Sequence, residues 1–131
     1  MISNRTIMEN LLLPRCYAEN TLTVTPGKEL KRLCSVFNIT LELDQRVAKA
    51  NPWDVRMATA IREIIKLPEI FLLGRPEEVI SPDRLGPFIE LMKKKGADGT
   101  PMVLFSLEQK FIDNFSPNKR IIIKKSSLTT K

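Results

Sequence analysis

The side chains that could do chemistry are best judged first by what is missing. The 131 residues contain no His. That removes the usual neutral-pH general base, the His-based nucleophilic triads and the His metal ligands together. Cys16 and Cys34 are separated by seventeen residues and neither belongs to a CxxC pair, so zinc-ribbon and dithiol redox chemistry both fail. Cys34 falls on an apolar helical stripe and reads as a small buried hydrophobe. Glycine occurs at positions 27, 74, 86, 96 and 99. None forms GxGxxG or GxxxxGK[ST], so neither standard phosphate-cradling loop is present. Asp44, Asp54, Asp83, Asp98 and Asp113 are scattered, and Glu77-Glu78 with Asp83 makes a small acidic patch. Metal-dependent phosphoryl transfer wants two or three carboxylates on one ion, and nothing in this spacing brings them there. Asp54 and Asp83 sit at helix starts, where a carboxylate favours the free amides. The expectation is no catalytic residue, no metal, no cofactor and no enzymatic activity.

Charge is the feature that remains. Lys and Arg number 21 against 15 Asp and Glu, a formal net charge of +6. Residues 1–44 balance at five of each sign, and 76–115 carry five basic against seven acidic. Residues 45–75 carry six basic against three acidic, and 116–131 carry five and none. Lys93, Lys94, Lys95, Lys119, Arg120, Lys124 and Lys125 would form one basic surface if the last strand ran beside the end of the third helix. Such a surface attracts a phosphate backbone in a salt-dependent way. Tyr17 is the only tyrosine and Trp53 lies on an apolar helix face, so base stacking by exposed rings is unsupported.

The elements that must position these residues are punctuated by proline. Thr25-Pro26, Asn51-Pro52 and Ser81-Pro82 each read as an N-cap followed by Pro at the first helical position. The first helix is expected from about Pro26 to Phe37, with Leu30, Leu33, Cys34 and Phe37 inward. The second, about Pro52 to Lys66, puts Trp53, Met57, Ala60, Ile61 and Ile64 on one face, with Asp54 accepting from its first amides. The third, about Pro82 to Lys95, buries Leu85, Phe88, Ile89 and Met92 and stops at Gly96, although Pro87 could break its start. A leading helix over Thr6 to Leu13 and a short one over Leu107 to Phe115, capped by Ser106, complete the helical set.

Strand candidates lie between them: Leu22–Thr25, Ile39–Leu43, Ile70–Leu73, Met102–Phe105 and Arg120–Lys124. Ile121, Ile122 and Ile123 make the last apolar on both faces, as suits a strand covered twice. Alternating strands and helices predict an α/β domain with a mostly parallel sheet; an α+β domain with a mixed sheet is the alternative. The expected organisation is one globular domain over 1–125 and a flexible polar tail over 126–131. No run of 18 apolar residues occurs, which excludes a membrane-spanning helix. Glu9 interrupts the apolar amino-terminal stretch, so a signal peptide is not expected, and an intracellular, cytoplasmic location is the default.

One local resemblance carries an implication of its own. The segment from Lys95 through Gly96-Ala97-Asp98-Gly99-Thr100-Pro101 to Phe105 resembles the thioredoxin-like stretch that sets a cis-proline before a strand. That resemblance implies a cis Thr100–Pro101 bond. The partner CxxC or CxxS motif is missing, so no redox role accompanies it.

Taken together, these features predict a small non-enzymatic protein-interaction or assembly subunit. Its interface would be an apolar strand edge built from Ile70, Phe71, Leu72 and Ile121, Ile122, Ile123, used for a protein partner or self-association. The alternative is a basic protein that binds a nucleic-acid backbone without sequence specificity.

Overall fold

The computed structural model describes residues 1–20, 26–39 and 43–123. Helix α1 (Ile7–Glu19) opens at Thr6, whose side chain accepts from the Glu9 amide while Glu9 accepts from the Thr6 amide. This reciprocal cap satisfies two of the amides that a helix start leaves free. The helix runs beyond Leu13, carrying Pro14 inside it. An antiparallel bridge joins Thr6 to Arg46, and the Ile7 and Met8 amides donate to the Gln45 and Leu43 carbonyls. The amino-terminal stretch is thereby laced to the segment before the next helices. Asn10 is fully buried there, bonded to both backbone groups of Ile2 and to the Thr6 carbonyl.

Helix α2 (Lys28–Val36) begins two residues after Pro26. Gly27 occupies the extended N-cap position, so Pro26 lies outside the helix rather than at its first turn. Leu30, Leu33 and Cys34 are buried, and Phe37 just past the end joins them. A 3₁₀ turn (Val47–Lys49) leads to α3 (Pro52–Ile65). Here the expected cap is present: Asn51 Oδ1 accepts from the Trp53 amide at 2.8 Å, with Pro52 at the first helical position.

The inward face of α3 is rotated from the expected one. Asp54, Met57, Ala58, Ile61 and Ile64 form the buried stripe, a spacing of three and four residues that leaves Trp53 to one side. Trp53 is exposed, with the Arg56 guanidinium 5.0 Å from its ring centre. Asp54 does not serve the helix start. It accepts from Arg84 at 2.6 Å, and Arg84 also donates to the Phe37 and Asn38 carbonyls at 2.7 and 3.1 Å.

Strand β1 (Phe71–Gly74) is followed by a one-turn helix α4 (Pro76–Val79), then α5 (Pro82–Ala97), strand β2 (Met102–Phe105) and α6 (Gln109–Phe115). The two strands are parallel in the register Phe71–Met102, Leu72–Val103, Leu73–Leu104 and Gly74–Phe105. A parallel pair needs a crossover, and α4 with α5 supplies it. This is the predicted α/β arrangement with a parallel sheet, of two strands among the described residues. Helices begin at Pro52, Pro76 and Pro82; Pro52 and Pro82 were expected, Pro76 was not, and the start expected at Pro26 falls at Lys28.

Helix α5 passes through Pro87 unbroken and through Gly96, ending at Asp98. The left-handed residue of that turn is Gly99, at φ +100°. Phe88, Ile89 and Met92 are buried as expected. Ser106 does not cap α6 directly; its hydroxyl accepts from the Glu108 amide at 3.0 Å, and Leu107 is exposed. One apolar cluster unites Ile7, Leu33, Phe37, Ile61, Phe71 and Met92 with their neighbours. Burying each such side chain contributes roughly 1.5–3 kcal/mol. Every described peptide bond is trans, Thr100–Pro101 included, so the cis bond implied by the thioredoxin-like segment does not form. The strand expected at Leu22–Thr25, the centre of Ile39–Leu43, and Lys124 onward lie outside the described residues.

Candidate functional site

Because β1 and β2 are parallel, their carboxyl ends open on the same side, where ligands of α/β sheets bind. The chain leaves β1 at Gly74 and immediately does something uncommon. Arg75 adopts φ 47°, ψ 55°, the left-handed region that costs a side-chain-bearing residue about 1–2 kcal/mol. The other non-glycine residues with positive φ are Asn20, Asn38, Leu67 and Ser116, each at or just beyond the end of a helix. There such a conformation is ordinary. Arg75 stands instead at a helix start and before a proline, positions that favour extended backbone. Its amide donates to the Phe105 carbonyl at 2.8 Å, pinning the turn to the end of β2.

Two side chains bond to each other at this edge, and the Arg75 turn stands beside them. Ser106, next after β2, donates its hydroxyl to Glu77 Oε1 at 2.9 Å. Glu77 Oε2 is shut off from solvent with no hydrogen-bond partner, and so is Arg75 Nε. The tip of Arg75 pairs with Glu78. Orphaned polar atoms of this kind are uncommon in folded chains and call for a cause. The arrangement offers one guanidinium, one carboxylate with an unused oxygen and one hydroxyl at the mouth of a parallel sheet.

The residues singled out from sequence are distributed differently. Phe71 and Leu72 lie in β1, with Ile70 just before it; Phe71 is buried, and Ile70 and Leu72 are exposed. Ile121, Ile122 and Ile123 are exposed and join no strand among the described residues; the structure does not bring them into the sheet. Lys93, Lys94 and Lys95 occupy the last turns of α5, with Lys95 half-buried. Glu29 lies near them, held below the ordinary carboxylate range by its bond to Arg32 and, more weakly, by Lys95 and Lys94. Lys119 and Arg120 follow α6, and Arg120 pairs with Asp113 at 2.5 Å. Of these described basic-surface residues, Arg120 is the one in an ion pair, with Asp113. Lys124 and Lys125 lie outside the described residues. Sequence reasoning misses Arg75, finds Ser106 only as a helix cap, and finds Glu77 only as part of an acidic patch. The available signal is local: a Gly-Arg-Pro step closing an apolar run, opposite a second apolar run that ends in Ser.

No protein-family model matches the sequence, and no curated protein does. Solved structures do match. A nucleotide-free ATP-binding cassette from an ABC transporter superposes with a TM-score of 0.58 at 11% identity, over 86% of this chain and 49% of that one. An ATP-binding cassette of an ABC transporter in its ADP conformation gives 0.56 at 12% identity, with the same coverage of each chain. At this identity the likeness is one of fold. This chain spans about half the length of the cassettes it matches. The finding corrects the expectation of a non-enzymatic interaction or assembly subunit. It corrects with it the nucleic-acid alternative and the expectation of no enzymatic activity. Among the described residues no helix is long and apolar enough to cross a membrane.

Proposed function

We propose that this chain forms part of a nucleoside-triphosphate-binding domain, with the carboxyl ends of β1 and β2 facing the phosphates. The observation that carries this reading is the strained Arg75 turn, with Glu77 and Ser106 beside it, on a fold shared with ATP-binding cassettes. Arg75 would donate to phosphate oxygens in charge-assisted bonds. Glu77, in the first turn of α4, would hold a magnesium ion through its unused oxygen and so help order the attacking water. Among the described residues no cluster of three or more potential ligands could hold a metal alone. Magnesium, however, is commonly bound by one or two carboxylates together with substrate phosphates and water. The unused Glu77 oxygen and the Ser106 hydroxyl suit that role, and the ion would neutralise phosphate charge.

The phosphate-cradling loop of P-loop NTPases, GxxxxGK[ST], does not occur in these 131 residues. On this reading it lies in polypeptide outside them. The test is photoaffinity labelling of a native lysate of the cells that make the protein, with an ATP analogue carrying an aryl azide on its γ-phosphate. Labelled peptides should fall within residues 74–84 or 105–109, and excess ATP should compete. Arg75→Ala should weaken competition about tenfold, the loss of one charge-assisted bond. Absence of competable labelling at millimolar ATP would sink the reading.

A further inference from the structure

Helix α1 carries Asn10, Leu13, Pro14 and Tyr17 at i, i+3, i+4 and i+7, a single stripe of its surface. Arg62 lies in the last turn of α3, and Lys66 stands one turn on, just past its end. Between the stripe and this pair opens a cleft of about 580 Å³, walled at one side by Met1 and Ile2. Small-molecule sites commonly measure about 300–1,000 Å³. Leu13, Pro14 and Ile2 give the cleft an apolar lining, and the Tyr17 ring lines it while staying largely exposed. Asn10 has no donor or acceptor to offer there, because its amide is taken up by Ile2 and Thr6. Arg62 is the group without a structural task. Its side chain is 21% exposed, and its Nε is shut off from solvent with no hydrogen-bond partner. Glu63 stands 3.6 Å from that nitrogen, beyond hydrogen-bond reach, and is already bonded by Lys66 at 3.1 Å. A guanidinium cannot shed its charge. Arg62, Lys66 and Glu63 together therefore leave one positive charge at the end of the cleft.

We infer that the cleft between α1 and α3 binds a small organic monocarboxylate with an apolar or aromatic body. The planar fork of Arg62 matches a planar carboxylate, which can accept two parallel N–H bonds. Lys66 adds charge at the same end, and Leu13 and Pro14 take the body of the molecule. An uncharged apolar molecule would leave the Arg62 donors unmet in a partly buried place. Inorganic phosphate would meet them but would have nothing to lay on the apolar stripe. The site is independent of the nucleotide reading above. None of its lining residues belongs to β1, α4 or β2, so either idea can fail alone.

The experiment uses 4-benzoylbenzoate, a photoreactive aromatic monocarboxylate, in a native lysate of the cells that make the protein, followed by irradiation and peptide mapping. Adducts should fall on residues 1–2 and 13–17. They should exceed those of the uncharged 4-benzoylbenzamide about tenfold, as one charge-assisted contact requires. Excess 1-naphthoate should suppress them, and inorganic phosphate or ATP at the same concentration should not. Arg62→Gln should cut the labelling about tenfold while the protein melts in the lysate at its usual temperature. Lys66→Gln, at a more exposed position, should cut it about two- to threefold. Should Arg62→Gln fail to fold, the acid-to-amide ratio on the wild type decides alone. No labelling, equal labelling by acid and amide, adducts elsewhere on the chain, or suppression by phosphate or ATP would each overturn the inference. Full labelling of a folded Arg62→Gln protein would overturn it as well.

Discussion

Asn51 holds the Trp53 amide through a single side-chain oxygen, so Asn51→Ala should cost the domain about 0.5–2 kcal/mol by urea denaturation. Trp53 itself, two residues on, should matter less than a core aromatic. Its ring meets Arg56 at an exposed site, worth about 0.5–1 kcal/mol. Native emission should therefore resemble that of solvent-exposed indole, and an emission blue-shifted as in a buried ring would contradict the structure. Cys34 presents the opposite case. Burial pushes its thiol up to about 11, and the thiolate is the reactive form. At pH 8 a disulfide reagent should modify the half-buried Cys16 before unfolding and Cys34 only after it; equal rates in the native state would refute the packing. Glu9 is held below its ordinary 4.5, first by the Thr6 amide and then by the Thr6 hydroxyl. A depressed folded value means stability that is complete above about 4.5 and lost as pH falls through the lower folded value. Glu9→Gln should flatten that part of the acid limb.

At the scale of elements, the α3–α5 tie is the hub of the helical layer. Arg84 and Asp54 form a pair whose side chains are 11% and 13% exposed, and the Phe37 and Asn38 carbonyls complete it. Arg84→Ala would leave a mostly buried carboxylate and two carbonyls short of a donor, a loss of about 3–5 kcal/mol. A thermal or urea midpoint within error of the wild type would show that water replaces the guanidinium at no cost. This hub also marks where sequence reading stops. The starts at Asn51-Pro52 and Ser81-Pro82 are local backbone events, and local spacing predicts them; the Asn51 cap bond forms, while Ser81 Oγ makes none. Local spacing predicts equally the apolar runs that become β1 and β2. Asp54 is legible as a first-turn carboxylate, but its bond to Arg84, thirty residues away, is not. Pro26 misleads for a related reason: proline suits both the first helical position and the residue before a glycine N-cap, and only the φ and ψ of Gly27 separate them.

The candidate site belongs to the whole molecule, which is why so little of it is legible in the sequence. Gly74-Arg75-Pro76 and Phe105-Ser106 become one edge only through the parallel register of two strands about thirty residues apart. The absence of a phosphate loop argues against nucleotides only where these 131 residues make up the entire fold. They match instead about half of an ATP-binding cassette. A site assembled that way has a thermodynamic signature. Ligand that binds only the folded, completed domain adds RT ln(1 + [L]/Kd), about 2.7 kcal/mol at a hundred times Kd. Thermal unfolding of the protein in native extract should therefore shift upward with ATP. Arg75→Ala, tenfold weaker, should lose about half of that gain at the same concentration, because the ratio [L]/Kd falls from one hundred to about ten. Lys31→Ala, on the far side of α2, should keep all of it. An ATP shift that Arg75→Ala leaves untouched would move the phosphates away from the β1 edge, and would take from Glu77 its part in hydrolysis.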